Sequence, residues 1–331
     1  MKKRILYSEK YSRLTEDETT LLLSACKEVE KYVKRTPKVS GKKHKTRDVH
    51  AKSYGEVFGT FTKTVSGDKY INEIFPNKTY RSILRLSNVT MIAEEGKDSI
   101  PAYGLAIKLM NVADGLDFNA PLANFPIFPT NSVSKFLKLF IRINRLASAA
   151  ARFSPLAITK APALMLSALS FLPNFVDATF LRYLAKTGWN RNRNPLFFNY
   201  HSVGCYRFGD YIVKFLLEPK DFPKSKTDIK AQTQKQAVQE IFKNHQLTYT
   251  LKMQYCRKEE WVNDLTITWP HKKYKEIGTI TIEADSVLNP HKAEFLSFSP
   301  FESPDILKPV GRIQKTREMV YRTSVQTRRK S

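Results

Sequence analysis

Residues 47–61 read Arg-Asp-Val-His-Ala-Lys-Ser-Tyr-Gly-Glu-Val-Phe-Gly-Thr-Phe, the most informative stretch of the chain. His50 lies between a charged lead-in and a run with strand character, and Arg47 precedes it by three positions. This arrangement suits an imidazole held at the wall of a pocket, beside cations that face an anion. A histidine next to a strand is also commonly a packing residue, so the stretch alone leaves both interpretations open.

The length and the charge of the chain set broad bounds. Its 331 residues suffice for a substantial core, in one large domain or two small ones. Hydrophobic residues make up 42% and charged residues 26%, which indicates a globular rather than a disordered protein. The formal net charge of +24 implies an anionic partner or surface: nucleic acid, membrane lipid or an acidic substrate.

The cysteines and the N-terminal residues indicate a reducing compartment. Cys26, Cys205 and Cys256 are scattered without CxxC spacing, which argues against a zinc site and against a disulfide framework. The stretch 1–14 is basic but lacks the apolar segment of a secretory signal peptide. We therefore expect a cytoplasmic protein.

The residue pattern predicts helices near both ends and strands between them. Residues 16–36 have an N-cap candidate in Thr15, acidic residues in the first turn and basic residues in the last, which predicts a helix. A polar connector follows at 37–48, and 311–329 predicts a second helix. Alternating polarity predicts strands within 49–128 and at 203–217, 247–256, 263–269 and 277–284. No repeat with a period of roughly 20 to 50 residues is visible, which excludes solenoids and propellers.

The stretch from Phe118 to Val176 contains no acidic residue. Within 131–152, apolar residues alternate with a stripe of four basic side chains at helical spacing: Lys135, Lys138, Arg142 and Arg145. This pattern predicts a basic amphipathic helix. A second apolar stretch, Ala161 to Leu172, is too short to span a bilayer. The two stretches are interpreted either as a buried helix pair that covers the sheet or as a surface that contacts lipid or admits a lipid substrate.

The predicted C-terminal helix carries a second candidate site. Arg317 and Tyr321 are four residues apart and therefore share one face, where the guanidinium can reach the phenolic oxygen. A nearby cation favours the charged form of a tyrosine, and a tyrosinate is an anionic oxygen ligand that suits ferric iron. Arg328 lies two turns further along the same face. An ordinary basic helix with one packed tyrosine has the same pattern.

Together these segments resemble the haem catalases, in particular the smaller catalase-related proteins. Arg47-x-x-His50-Ala-Lys resembles their distal-histidine motif, and Arg317-x-x-x-Tyr321 resembles their proximal tyrosine motif. The other similar segments follow in the family's order: Arg85-Leu-Ser87, Tyr103 to Lys108, Asn124 to Phe128, Asn194 to Arg207, Phe298 to Pro300 and Pro309 to Ile313. The resemblance covers residues 45 to 329.

The resemblance implies an α+β fold, a catalase-like eight-stranded antiparallel β-barrel with surrounding helices and no flavodoxin-like C-terminal domain. Residues 1–44 would form an N-terminal helical arm and 45–331 the haem-binding core, with 131–176 as a helical insertion between strand groups. Much of the N-terminal arm of full-length catalases is missing, which argues against their intertwined tetramer and against fast hydrogen peroxide dismutation. A homo-oligomer of another kind stays a candidate.

The resemblance also implies residue roles around haem b. His50 and Asn124 would face the open coordination position of the ferric iron, and Tyr321 would bind the iron from the other side. The remaining cofactor-binding candidates are Arg47, Val49, Arg85, Ser87, Phe136, Phe140, Arg317 and Arg328. The arginines would pair with haem propionates or stabilise the tyrosinate. Ser87 would hydrogen-bond the second nitrogen of His50, and either phenylalanine would stack on the haem.

The implied reaction is cleavage of a hydroperoxide O–O bond through a ferryl intermediate. His50 would move a proton from the near oxygen to the leaving oxygen while Asn124 positions the peroxide. One substrate class is hydrogen peroxide or a small organic peroxide, reduced or dismutated. The other is a fatty-acid hydroperoxide, as in allene oxide synthases. Val49 favours the first class, because the allene-oxide relatives tend to carry threonine there, and the acid-free stretch favours the second.

Two non-enzymatic interpretations are weaker. The lysine-rich stretch 31–52 could bind nucleic acid with aromatic side chains as stacking platforms, but no helix-turn-helix, zinc or RNA-binding signature is present. A haem-binding protein without turnover is the other. We therefore expect a peroxide substrate and no nucleic-acid partner. We also expect a cytoplasmic protein, or alternatively one that binds peripherally to an anionic membrane.

Overall fold

The structure is a computed structural model that describes residues 4–91, 101–153, 176–188, 192–221, 233–271, 273–289, 293 and 295–329. The strands within these ranges are β1 Ser53–Lys63, β2 Thr79–Asn88, β3 Tyr103–Ala113, β4 Leu116–Ala123, β5 Tyr200–His201, β6 Cys205–Phe208, β7 Tyr211–Lys220, β8 Leu247–Tyr255, β9 Lys275–Ile282 and β10 Pro309–Val310. The α-helices are α1 Glu16–Ser40, α2 Lys69–Ile74, α3 Val133–Phe153, α4 Ala178–Gly188, α5 Gln234–Asn244, α6 Glu260–Asn263 and α7 Arg312–Arg329.

Eight of these strands close into an antiparallel barrel. Neighbours pair in the order β1-β2-β3-β4-β5-β7-β8-β9, and β9 pairs again with β1. The short strands β6 and β10 extend the sheet beside β7. Large buried side chains, among them Phe61, Phe118 and Phe215, fill the barrel as one hydrophobic cluster. The predicted eight-stranded antiparallel barrel with surrounding helices is therefore confirmed.

One predicted strand, 263–269, is wrong. Here α6 is followed by an irregular segment whose backbone N–H groups bind side chains instead of a neighbouring strand. The Oδ1 atom of Asn131 accepts hydrogen bonds from the N–H groups of Leu265 at 2.7 Å and Thr266 at 3.2 Å. Asp264 Oδ1 also accepts from the N–H of Thr266. Alternating polarity in this segment therefore reflects one-sided packing of a loop.

The long helix α1 follows its predicted start and exceeds its predicted end. Thr15 and Glu18 form a reciprocal capping box at its N-terminus. The helix passes through Pro37 and ends at Gly41, which has a left-handed backbone conformation with φ of 62°. Glycine adopts this conformation without a steric penalty, and it is a common helix terminator.

The predicted amphipathic helix is present as α3, and its apolar side packs against α1. Leu137 and Ile141 are buried in one cluster with Leu22 and Ala25 of α1. The apolar side of α3 is therefore covered by another helix, α1. The basic side chains of the stripe are exposed, and Arg145 lies 3.3 Å from Glu28 of α1. The second apolar stretch, 161–172, lies outside the described residues, and no described helix has the length and apolarity to cross a bilayer.

Candidate functional site

His50 lies in a backbone turn just before the barrel begins. Its φ is 58°, in the left-handed region that only a few per cent of non-glycine residues adopt. Two hydrogen bonds hold the turn: the N–H of Ala51 donates to the Thr90 carbonyl at 3.0 Å, and Arg85 Nη2 donates to the His50 carbonyl at 2.8 Å. A strained backbone persists only where its surroundings hold it in place, and such positions cluster at functional sites.

Strand register brings Ser87 and Gly104 to the imidazole. Ser87 pairs with Ser53 across β1 and β2, and with Gly104 across β2 and β3. Its Oγ lies 3.1 Å from His50 Nδ1 and donates to the Gly104 carbonyl at 3.3 Å. A Cβ atom added to Gly104 would lie 2.6 Å from His50 Cε1, so only glycine leaves room for the ring here. The expected hydrogen bond between Ser87 and His50 is present.

Arg85 is buried beneath the same turn. It lies opposite Glu56 in the β1–β2 register, and its Nε is 2.9 Å from Glu56 Oε1. The Arg85 side chain is only 4% exposed and that of Glu56 9%. Because Nε bonds Glu56 and Nη2 bonds the His50 carbonyl, this arginine supports the turn from below.

The electrostatic surroundings keep His50 neutral. Burial lowers the pKa of the imidazole to about 3, and the positive charges of Arg85, Arg317 and Arg47 act in the same direction. His50 nevertheless retains accessible surface. Because the ring stays neutral, one of its nitrogens keeps a lone pair that can accept a hydrogen bond or a transferred proton.

Tyr321 is held on α7 by a chain of side-chain contacts. Arg317 Nη2 donates to the Tyr321 hydroxyl at 3.1 Å, and Arg317 Nη1 donates to Gln314 Oε1 at 2.6 Å. Gln314 in turn donates from Nε2 to the Cys205 carbonyl at 3.3 Å, which ties the chain to the sheet. Burial opposes the charged form of Arg317, but Tyr321 and Tyr206 outweigh it and raise the pKa of the guanidinium.

Asn124 lies next to the His50 turn but binds the backbone with both ends of its amide. Oδ1 accepts from the N–H of Tyr103 at 2.8 Å, and Nδ2 donates to the Pro101 carbonyl at 3.0 Å. Tyr103 immediately precedes Gly104, on which the imidazole of His50 lies. Because Nδ2 carries two hydrogens, one remains for a further acceptor.

The other predicted residues lie beside His50, on α3 and near the end of α7. Arg47 precedes His50, is half-buried and donates from Nη2 to the Leu296 carbonyl at 2.8 Å. Phe136 and Phe140 of α3 stack at 5.8 Å in one cluster with Met319 and Val320, the neighbours of Tyr321 on α7. Val49 and Arg328 are half-buried, in the His50 turn and near the end of α7.

Several residues that support the site were not predicted from the sequence. Gln314 lies three residues before Arg317, a helical spacing that could have identified it. Glu56 and Gly104 belong to the predicted strands, but their roles depend on strand register, which the sequence did not give. Among the described residues, no group of three or more His, Cys, Asp or Glu side chains is placed to hold a metal ion.

The chain is similar to known proteins in its structure. No known protein-family profile matches the sequence, and no curated protein matches it either. A fungal catalase aligns with 87% of the chain at 18% identity and a TM-score of 0.62. Catalase A from Saccharomyces cerevisiae aligns with 86% at 17% identity and a TM-score of 0.57. The chain has the catalase fold.

A bacterial catalase gives the same result, with 86% of the chain aligned at 17% identity and a TM-score of 0.60. The chain covers 60%, 62% and 57% of the fungal, yeast and bacterial proteins. It therefore spans about three fifths of the length of these catalases. At this level of identity the similarity shows a shared fold and does not show a shared activity.

Proposed function

We propose that this protein is a haem-dependent enzyme that cleaves the O–O bond of hydroperoxides, with hydrogen peroxide or a small organic peroxide as substrate. One observation carries the proposal. On a catalase fold, a neutral imidazole oriented through Nδ1 lies close enough to Arg317 for that charge to lower its pKa, and Arg317 in turn holds the Tyr321 hydroxyl. The imidazole can transfer a proton, and the tyrosine oxygen can bind ferric iron.

The residues present fit haem b. The Tyr321 oxygen is a suitable iron ligand, and Arg317 Nη2 donates a hydrogen bond to it. His50 and Tyr321 retain accessible surface, and Phe136 and Phe140 pack in one cluster with Met319 and Val320, which precede Tyr321 on α7. Arg47 offers a cation for a propionate beside the same turn. When bound, the haem would supply the iron and the electrons for cleavage of the O–O bond.

The hydrogen bonds of His50 select its proton-accepting atom. Ser87 Oγ directs its hydrogen to the Gly104 carbonyl, so it accepts a hydrogen from His50 Nδ1. That tautomer leaves Nε2 with its lone pair. In the proposed reaction Nε2 takes a proton from the near peroxide oxygen and returns it to the leaving oxygen. The low pKa of the imidazole favours rapid return of the proton.

Asn124 contributes one hydrogen in this proposal. Its backbone contacts fix the amide plane, and the second hydrogen of Nδ2 is the group that can donate to a bound peroxide. A fixed donor stabilises charge on the leaving oxygen without having to reorganise during the reaction. Arg317 is the corresponding fixed donor for Tyr321, since its Nη2 donates a hydrogen bond to the tyrosine oxygen.

A second candidate substrate is a fatty-acid hydroperoxide. The exposed basic stripe of α3 supports it, since an anionic lipid surface attracts such a stripe. The apolar side of the same helix is already buried against α1, so α3 offers charge but no apolar face for insertion. Hydrogen peroxide and small organic peroxides therefore remain the favoured substrates.

A turnover comparison tests the proposal. The haem-loaded protein is given hydrogen peroxide and, separately, a polyunsaturated fatty-acid hydroperoxide, and O–O cleavage is measured together with the haem spectrum. We expect cleavage of hydrogen peroxide, retained haem in His50→Ala, and at least a ~100-fold loss of turnover in that variant. His245→Ala, at the C-terminal end of α5, is the matched control. Wild-type turnover in His50→Ala would contradict the proposal, and faster cleavage of the lipid substrate would favour the second candidate.

A further inference from the structure

A buried carboxylate connects the His50 turn to α7. Asp48 lies two residues before His50 and is 6% exposed, and its Oδ1 accepts a 2.7 Å hydrogen bond from Ser324 Oγ. Ser324 is also 6% exposed and lies three residues after Tyr321. The backbone N–H groups of Asp48 and Val49 also favour its charged form. Asp48 itself belongs to the segment that carries the imidazole, so its bond to Ser324 joins that segment to the helix that carries the tyrosine.

Stability alone does not explain this carboxylate. Burial raises the pKa of Asp48, against the opposing hydrogen bonds from Ser324 and the backbone. A buried carboxylate loses its hydration, and an apolar side chain of similar volume is often equal or better for stability at such a position. Cys26 and Tyr32 of α1 are close enough to sense its charge and are themselves buried. What the carboxylate adds is a directed connection between two segments.

The two segments are otherwise held by different parts of the fold. The His50 turn is bonded to β2 and β3 through Arg85 and Ser87. Tyr321 is bonded through Arg317 and Gln314 to the start of β6. Each set of bonds fixes its own residue against the barrel. A direct bond between the turn and α7 fixes the two residues against each other.

We propose that Asp48 and Ser324 form a clamp that sets the separation between His50 and Tyr321. The consequence for catalysis rests on the proposed function, in which haem occupies the space between these two residues, but the clamp itself is a property of the protein without cofactor. Asp48 is a positioning residue here, since it acts on His50 and Tyr321 through neighbouring residues of each segment. The Asp48–Ser324 bond joins the two segments directly and is present without a ligand.

Hydrogen exchange tests the clamp in the protein without haem. Ser324→Ala and Asp48→Ala each remove one partner, and Thr327→Val is the matched control. Thr327 is a buried residue on the same helix, and its hydroxyl donates to the carbonyl of Thr323 at 2.7 Å. We expect amide exchange within 47–50 to become about tenfold faster in the first two variants and to stay unchanged in the control. Equal exchange in wild type and Ser324→Ala would overturn the clamp, whatever the protein binds.

Haem titration tests the consequence. We expect Ser324→Ala to bind haem about tenfold more weakly and with a shifted ferric absorption spectrum. Asp48→Asn, in a chain that keeps Ser324, should retain the wild-type affinity and spectrum, since its amide oxygen still accepts from Ser324. Faster exchange with unchanged haem affinity and spectrum would overturn the claim that the clamp sets the gap. A wild-type protein that binds no haem would instead contradict the proposed function, and the exchange result would still decide the clamp.

Discussion

The two parts of the candidate site, the His50 side and the Tyr321 side, are built in different ways. The His50 side depends on the barrel, because strand register brings Ser87 and Gly104 to the imidazole and a buried ion pair supports the turn. The Tyr321 side depends on one helix, in which Arg317 and Gln314 connect the tyrosine to the sheet and Ser324 connects the helix to Asp48. The His50 side is thus fixed by backbone pairing along several strands. The Tyr321 side is fixed by side-chain contacts of α7.

This difference predicts different responses to substitution. Changes on the His50 side should disturb the fold and the site together, since the same strands build both. Changes on the Tyr321 side should disturb the site with a small effect on folding. The following variants test that contrast.

The largest effect is expected from the ion pair beneath His50. Glu56→Ala leaves Arg85 buried without its carboxylate, and such a loss typically costs ~3–5 kcal/mol. The matched control is Glu73→Ala, whose exposed pair with Lys69 contributes at most ~0.5 kcal/mol. Urea unfolding of both variants measures the free energy of unfolding directly. Equal losses in the two variants would show that the buried pair does not support the turn.

The pH dependence of stability should reveal the neutral imidazole. His50 has a pKa of about 3 in the folded protein and an ordinary value of 6.5 when unfolded. As the pH falls below about 6.5, the unfolded chain binds a proton that the folded protein does not, and stability falls until about pH 3. His50→Gln has no imidazole to titrate and does not lose stability in this way. As the pH falls from 6.5 to 4, its unfolding free energy relative to wild type should therefore rise by up to ~1.4 kcal/mol per pH unit. Parallel curves for the two proteins would contradict a neutral buried His50.

A smaller effect on stability, with a large effect on chemistry, is expected at Gly104. In Gly104→Ala the new Cβ would lie 2.6 Å from His50 Cε1 and 2.8 Å from Nδ1, so the ring has to move. We expect a loss of ~1–3 kcal/mol in unfolding free energy and about a 100-fold loss of peroxide turnover. Gly67→Ala has nothing within 4 Å of its new Cβ and serves as the control. Wild-type turnover in Gly104→Ala would mean that the position of the ring is unimportant.

The smallest change in stability is expected on the Tyr321 side. Gln314→Leu keeps the volume but removes the acceptor of Arg317 Nη1, and we expect ~1–2 kcal/mol in unfolding free energy. Haem affinity should fall about tenfold, because the guanidinium loses its fixed orientation towards Tyr321. Lys315→Ala, exposed on the same helix, controls for the change in the helix itself. A haem affinity equal to that of wild type would show that Gln314 has no positioning role.

Most strands and the terminal helices could be predicted because their signals are local, whereas the closed barrel was implied only by the resemblance to the catalases. The helix that carries Tyr321 has the spacing of a single face, which the sequence shows directly. The segment 263–269 failed, since alternating polarity cannot distinguish a strand from a loop whose N–H groups bind Asn131.

The predicted site residues reach their positions for reasons that only partly appear in the sequence. Arg317 and Tyr321 meet because they are one helical turn apart, and this could be predicted. The contacts of Ser87 with His50 and of Asp48 with Ser324 join residues far apart in the chain. Only the register of the strands and the packing of α7 bring them together, and neither follows from local pattern.

The central claim is our proposal that Tyr321, and not His50, binds haem iron. The most direct test is the ferric absorption and electron paramagnetic resonance spectrum of the haem-loaded protein, wild type against Tyr321→Phe. The matched control is Tyr206→Phe, which removes a buried hydroxyl that has no hydrogen-bond partner among the described residues and lies near Arg317. We predict a tyrosinate-ligated high-spin spectrum that Tyr206→Phe keeps and Tyr321→Phe loses. An unchanged spectrum in Tyr321→Phe would contradict the claim.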